Sequence, residues 1–433
     1  MARMSASNRS EAAPVKTTSS SVLIIPIYTA AIFLSAALLF AVQPMFTKMV
    51  LPRFGGSPSV WSVAMVFFQG ILLLGYAYAD ILTRLVRGPF ALLIHLAVML
   101  GGAVFLPVAI AKGWGLPPAD REQLFLLGLF GVSIGFPFFA LSANGPLLQA
   151  WFARSGLAQA ENPYFLYAAS NIGSLLALFA YPFAAEPFST LSFQGSIWRS
   201  GYYLLIALIA LCGALVFFRR EGEAVLPRAQ STEAAPVFGR MAYWVALAFV
   251  PSALMIAATT HITADVAAAP FLWVLPLSLY LISFILVFSR PTFVQQATWI
   301  KLQPFLLALL VLTLALDIRT WLTVDVALHL LTFFVTAMIC HGLMAATRPQ
   351  AAYLTRFYFC MSLARWNFFR LDRSPYLFMD RRIPASGGCG RAGTPRARLA
   401  EAKGSQASCH VRCACCHRRA ARAAPGFLGH STL

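Results

Sequence analysis

The chain alternates between long apolar runs and short polar breaks. A helix needs about 20 mainly apolar residues to cross the hydrocarbon core of a bilayer. Ten runs meet or approach that length: 22–42, 60–82, 89–111, 124–143, 164–184, 201–218, 241–260, 267–289, 298–316 and 323–345. No charged residue lies between Val22 and Val42, and residues 1–21 form a polar, Ser/Ala-rich lead carrying Arg3, Arg9 and Lys16. A secretory signal has an apolar core of about 7–15 residues. The first run is longer, so it is predicted to be a retained helix. The pattern predicts an all-α integral membrane protein: a polytopic bundle of about ten transmembrane helices, with the start of an eleventh from Tyr353 to Leu363.

The polar breaks predict an orientation, because cytoplasmic loops are enriched in Lys and Arg. With the N-terminus inside, the inner side receives Arg84, Arg87, Arg154, Arg219, Arg220, Arg228, Arg240, Arg290, Lys301, Arg348 and Arg356 besides the three of the lead. The outer side receives only Lys48, Arg53, Lys112, Arg121, Arg199 and Arg319. The expected location is the bacterial cytoplasmic membrane, with the N-terminus in the cytoplasm. The longest polar break, 219–240, holds Glu221, Glu223, Pro227, Glu233 and Pro236. It divides a six-helix half, 22–218, from a second half, 241–364.

Composition agrees with the pattern. Of 433 residues 59% are hydrophobic and 11% charged, with a mean hydropathy of +0.72. An average soluble domain is about 25% charged, so a simple soluble fold is excluded. The net charge of +18 would invite a nucleic-acid partner, until it is divided along the chain. Residues 365–433 carry 13 basic and 3 acidic residues, and residues 1–364 carry 20 and 12. The charges of the membrane region follow the positive-inside pattern, and no nucleic-acid partner is required.

Residues 365–433 are different material: Ala, Arg, Gly and Cys make up 35 of the 69. Three readings compete. Cys409, His410, Cys413, Cys415, Cys416 and His417 offer ligands that zinc takes, but in one bunch where structural sites use two separated pairs. A basic disordered arm is the second reading. The third, favoured here, is out-of-frame translation of GC-rich DNA. A one-nucleotide shift across Trp366–Pro375 permits an apolar, Gly-spaced continuation of the eleventh helix. Resequencing the gene across codons 360–370 is expected to reveal the frame change; an uninterrupted, independently confirmed frame excludes it.

Six helices, a cytoplasmic linker and further helices resemble the layout of the major facilitator superfamily, whose halves are parallel repeats. The loop after the second run, Gly75–Gly88, loosely resembles that superfamily's signature through Gly75, Asp80, Arg84 and Arg87, with the spacing off by one or more positions. Ordinary positive-inside charge at a helix end is the preferred account of it. Longer runs are more specific: Phe33–Lys48, Leu51–Trp61, Tyr164–Ser174, His261–Asp265, Trp273–Tyr280, Cys340-His341 and Thr355–Tyr358. Together they resemble the membrane region of the bacterial fused major-facilitator/spermidine-synthase-like proteins, over about 22–364. That family's helical region continues with Gly-Gly where this chain has Ala364-Arg365. The resemblance implies a transporter-like bundle, joined in longer members to a soluble aminopropyltransferase-like domain. Nothing after 364 offers the strands, Gly-rich loop and acidic residues of that domain. No enzyme activity, cofactor or metal is therefore expected.

Polar groups inside apolar spans cost free energy, about 2.5–3.5 kcal/mol for a central charge, so each needs a reason. Asn171, in the small-residue run Tyr167–Ser174, is read as interhelical glue or a solute contact. Asn144-Gly145-Pro146, with Gln149 beyond, is expected to end or break the fourth helix near the cytoplasm. Gly131 and Gly135 form a Gly-x-x-x-Gly face, a spacing used in helix packing and also common by chance. His261 and Asp265, four apart, would share a helix face and hold a proton or an amine, or stand as a solvent-exposed pair. Gln43, Lys48, Arg53, Gly55 and Gly56 are read as a polar connector, with Lys48 and Arg53 facing headgroups or a carboxylate. His95, His329 and His341 are read as bonded packing residues, and Cys212, Cys340 and Cys360 as packing thiols. No catalytic triad, carboxylate pair or phosphate loop is present in the sequence.

Three functions follow as expectations. The first is a bundle that moves or senses a small solute such as an amine. The second is a membrane anchor for a soluble synthase-like partner. An ATP-driven siderophore permease subunit ranks last, because no coupling-helix sequence is evident.

Overall fold

The computed structural model describes residues 19–54, 58–115, 118, 121–217, 235–265, 274–289, 296–316 and 321–364. Among them all regular structure is helical. The elements are α1 (Ser19–Val50), α2 (Pro58–Leu85), α3 (Gly88–Ala103), α4 (Glu122–Phe130), α5 (Phe136–Phe152), α6 (Phe165–Ala180), α7 (Glu186–Phe188), α8 (Leu191–Phe217), α9 (Phe238–Asp265), α10 (Val274–Ser289), α11 (Gln296–Ala315) and α12 (Leu322–Ala346). Residues 354–364 are helical again. Single π-helical turns, Gly131–Gly135 and Tyr181–Ala185, join α4 to α5 and α6 to α7, so each pair is one rod. Eight rods are long and apolar enough to span a membrane, and α3 and α10 are shorter apolar helices. The protein is an all-α, multi-pass membrane bundle.

Side chains sort by environment as a bilayer requires, with no water to pair with backbone groups and no penalty for apolar surface facing lipid. One buried core is built from α1 to α5 and α8, around Tyr28, Phe46, Phe130, Phe138, Trp151 and Tyr202. A second is built from α9, α10, α12 and 354–364, around Trp244, Phe284, Phe333, Met338 and Phe357, and α6 lends it Tyr164 and Ala168. A small cluster of Leu178, Val274 and Leu281 links α6 to α10 nearer the opposite end. By contrast α11 buries none of its residues and exposes Phe305, Leu309 and Leu312, a lipid-facing surface.

Several predicted boundaries move. The third run reads as apolar to 111, yet α3 stops at Ala103. Pro107 lacks an amide hydrogen and disfavours a helical residue before it, which argues against extending the helix to 111. The sixth run appears to begin at 201, but α8 begins at Leu191. Its polar first turns are sustained internally: Ser196 Oγ donates to the Ser192 carbonyl at 3.0 Å and Ser200 Oγ to that of Ser196 at 3.1 Å. Gln194 Nε2 reaches back to the carbonyls of Ala185 and Ser189, both at 3.1 Å.

Two motif readings are corrected. Asn144-Gly145-Pro146 does not break its helix: α5 runs through to Phe152 with nearly every residue buried. The burial of α5 among surrounding helices is the setting in which membrane helices accept proline. The Gly131/Gly135 face is not a close helix contact. A methyl group at Gly131 would meet no heavy atom within 4 Å, and at Gly135 only ordinary contact with Phe67 at 3.6 Å. The intimate contact lies instead at Gly173, where a Cβ would sit 2.5 Å from the backbone oxygen of Phe33 on α1.

Candidate functional site

The two cores meet along a seam, and its cross-links gather at the end where α2 finishes and α6 begins. The Tyr164 hydroxyl donates to the Pro349 carbonyl at 2.7 Å, and the Arg348 guanidinium lies 4.8 Å above the same ring. Asp80 on α2 is buried, paired with Arg84 one turn on, and accepts a hydrogen bond from Thr355 Oγ1 at 2.8 Å. Arg154 donates to the Thr83 carbonyl at 3.3 Å. Within the second core Arg240 and Trp244 both donate to the Thr347 carbonyl, at 3.0 and 3.2 Å.

Deeper in the seam lies its chemically distinctive part. The Tyr358 hydroxyl donates to Gln149 Oε1 at 2.6 Å, with both groups buried. Tyr358 stacks on Tyr167, ring centroids 5.1 Å apart, and Tyr167 meets Phe284 and Phe288 edge-on at 5.3 and 5.0 Å. One amide oxygen thus meets the hydroxyl end of a cluster of aromatic rings. Ring faces attract cations, and a buried amide oxygen accepts from an N–H or O–H.

The sequence candidates fall in separate places. Gln149 joins this seam. Asn144 does not line a space: its Oδ1 meets His95 Nε2 at 2.6 Å in the first core, and its amide nitrogen lies 3.9 Å from the Met99 sulfur. Asn171 is buried, and its amide donates at 2.7 Å to the Tyr167 carbonyl of its own helix, not across to another. Of the polar connector, Gln43 and Lys48 are helical residues of α1, and Arg53 sits exposed in a short 3-10 turn, Leu51–Phe54. The partner of Lys48 is Glu186 of α7. His341 meets Ser283 Oγ at 2.8 Å, and Cys212, Cys340 and Cys360 are buried free thiols.

His261 has a partner that its spacing from Asp265 did not reveal. His261 Nε2 meets Asp325 Oδ2 of α12 at 2.8 Å. His329, one turn beyond Asp325, lies 3.5 Å from its other carboxylate oxygen, and the two imidazoles stack at 4.0 Å. Asp265 closes α9, and its side chain lies outside the described residues. So do Gly55 and Gly56, most of the linker 219–240, the lead 1–18 and all of 365–433 with its Cys/His run. Sequence reading missed Asp325, Tyr167 and Tyr358. Asp325 and His329 stand four apart, which was a visible signal; the two tyrosines are ordinary apolar-face aromatics until the fold pairs them with Gln149.

No family model matches the chain, and no curated protein does. Among solved structures it is similar to a double-tryptophan mutant of XylE, at 13% identity and TM-score 0.49, over 83% of this chain and 89% of that one. Similar likenesses hold for XylE, a major facilitator superfamily proton:xylose symporter, bound to 6-bromo-6-deoxy-D-glucose (13%, TM-score 0.49, 81% and 88%). They hold too for the xylose transporter XylE from E. coli in a partially occluded inward-open conformation (14%, TM-score 0.48, 81% and 89%). Likenesses this remote assign neither substrate nor mechanism.

Proposed function

We propose that this protein is a transporter for a small solute carrying an amine, with the seam between its two cores as the passage. The observation that supports this is the buried Gln149–Tyr358 contact amid the rings of Tyr167, Phe284 and Phe288. An amine would receive ring faces for its charge and the Gln149 oxygen for its N–H groups. Six helices, a linker and further helices fit alternating access between two halves, and the distribution of basic loops supports a cytoplasmic N-terminus in a bacterial membrane. The membrane region is read as that of the fused spermidine-synthase-like family.

Flux of labelled polyamines and of a neutral sugar into proteoliposomes tests the proposal. Uptake of the amine above that of empty vesicles is expected. Gln149→Leu should weaken apparent affinity about two- to tenfold, because the acceptor for the solute's N–H, one hydrogen bond of roughly 0.5–1.5 kcal/mol, is lost. Arg53→Gln, at the exposed turn, should leave flux unchanged. If correctly inserted protein never exceeds empty vesicles, the transport reading fails and the anchor for a soluble synthase-like partner stands in its place.

A further inference from the structure

At the far end of the bundle from Asp80, the last turns of α9 and the first turns of α12 bring together three side chains that the transport reading does not use. His261 Nε2 and Asp325 Oδ2 are 2.8 Å apart, and His329 Nδ1 and Asp325 Oδ1 are 3.5 Å apart. One ligand atom from each residue can be chosen so that all lie within 4.8 Å of one another. We propose that His261, Asp325 and His329 form a binding site for a first-row transition-metal dication, with zinc as the reference ion.

The chemistry of the set is the first reason. Two neutral imidazoles and one carboxylate are the donors that zinc, cobalt and nickel accept at about 2.0–2.2 Å. Donors at that distance around a tetrahedral centre lie roughly 3.3–3.5 Å apart, and the His261–Asp325 separation of 2.8 Å is close to this range. His329 Nδ1, 3.5 Å from Asp325 Oδ1, now donates to the Asp325 backbone carbonyl at 3.0 Å and must release that bond, or present Nε2, to ligate. Placement is the second reason. The side chains are 30%, 26% and 10% exposed for His261, Asp325 and His329, so the cluster is sheltered yet reachable from its end of the bundle. The four-residue step from Asp325 to His329 puts both on one face of α12, and His261 arrives from the neighbouring helix. A bound ion would therefore tie α9 to α12.

Occupancy has a structural consequence. A metal lies near the plane of each ligating imidazole, and the two rings now stack at 4.0 Å with planes only 25° apart. Nearly parallel rings cannot converge on one ion. One ring must turn about its Cβ–Cγ bond, and His261 is the more exposed of the two. The ion then takes the place of the proton shared between His261 and Asp325.

The test uses the full chain in detergent, with Cys389, Cys409, Cys413, Cys415 and Cys416 replaced by serine and His410, His417 and His430 by glutamine, so that the tail supplies no thiol or imidazole ligand. After chelator treatment, equilibrium dialysis against zinc should return one ion per chain. Cobalt should give ligand-field absorption without a thiolate charge-transfer band. His261→Gln and His329→Gln should each weaken zinc binding by more than about 100-fold, beyond what loss of a supporting outer-shell group costs. Zinc should raise the thermal midpoint of the parent and leave that of the His261→Gln variant unmoved. Because His261 is partly exposed, that variant is expected to elute and melt like the parent without metal, which separates ligand loss from misfolding. No zinc uptake by the parent, or equal uptake by both glutamine variants, would overturn the proposal.

Discussion

Replacing Gly173 with leucine is expected to abolish the folded bundle: no monodisperse peak in detergent and no cooperative thermal transition. At Gly173 the α6 backbone runs against α1. A Cβ there would lie 2.5 Å from the Phe33 carbonyl oxygen and 3.2 Å from its carbon. A flexible side chain could turn away, but backbone within a helix cannot. Even Gly173→Ala is expected to lose about 1–3 kcal/mol, the usual cost of overpacking a tight contact. Gly131→Ala is the matched control, since nothing lies within 4 Å of the added methyl. It should be neutral or gain up to about 1 kcal/mol from helix propensity. Equal melting temperatures for Gly173→Ala and Gly131→Ala would contradict the close-contact account.

The second large effect is expected at Asp80. Its carboxylate is buried between Arg84 and Thr355, and Arg356 lies within electrostatic reach of Arg84. Asp80→Ala removes the anion and leaves the Thr355 hydroxyl without this acceptor. Removing one member of a fully buried pair costs roughly 3–5 kcal/mol. Arg84 is 47% exposed, so water screens part of the loss and about 1–3 kcal/mol is expected. Asp80→Asn retains an acceptor for Thr355 and should fall between the parent and the alanine variant. Thermal unfolding in detergent measures all three. If alanine and asparagine match the parent, the carboxylate carries no structural role at the seam.

These two positions illustrate what could be read in advance. Asp80 and Arg84 were visible as charges at a helix end, and one turn of helix pairs them whatever the tertiary structure. That Thr355, 275 residues away, would supply the third member was not visible. Gly173 stood in a run of small residues whose purpose, close helix approach, was legible. Gly131 and Gly135 carried the same signature and turned out to face open space and ordinary contact. Spacing along one helix cannot say which face meets a neighbour. Asn144 shows the same limit: Asn-Gly-Pro argues locally for a break, and burial among surrounding helices overrides it.

The sequence alone determined the class of the molecule, the number of apolar rods and their approximate bounds, because crossing a bilayer demands about 20 apolar residues and punishes charge locally. Such constraints act within one segment, so one segment reveals them. The tertiary structure decided which polar side chains meet: Gln149 with Tyr358, Lys48 with Glu186, and His261 with Asp325. In an apolar surround a polar group takes the nearest available partner, and nearness there is set by helix packing. Tyr358 stands 209 residues from Gln149 along the chain and 2.6 Å from it in space.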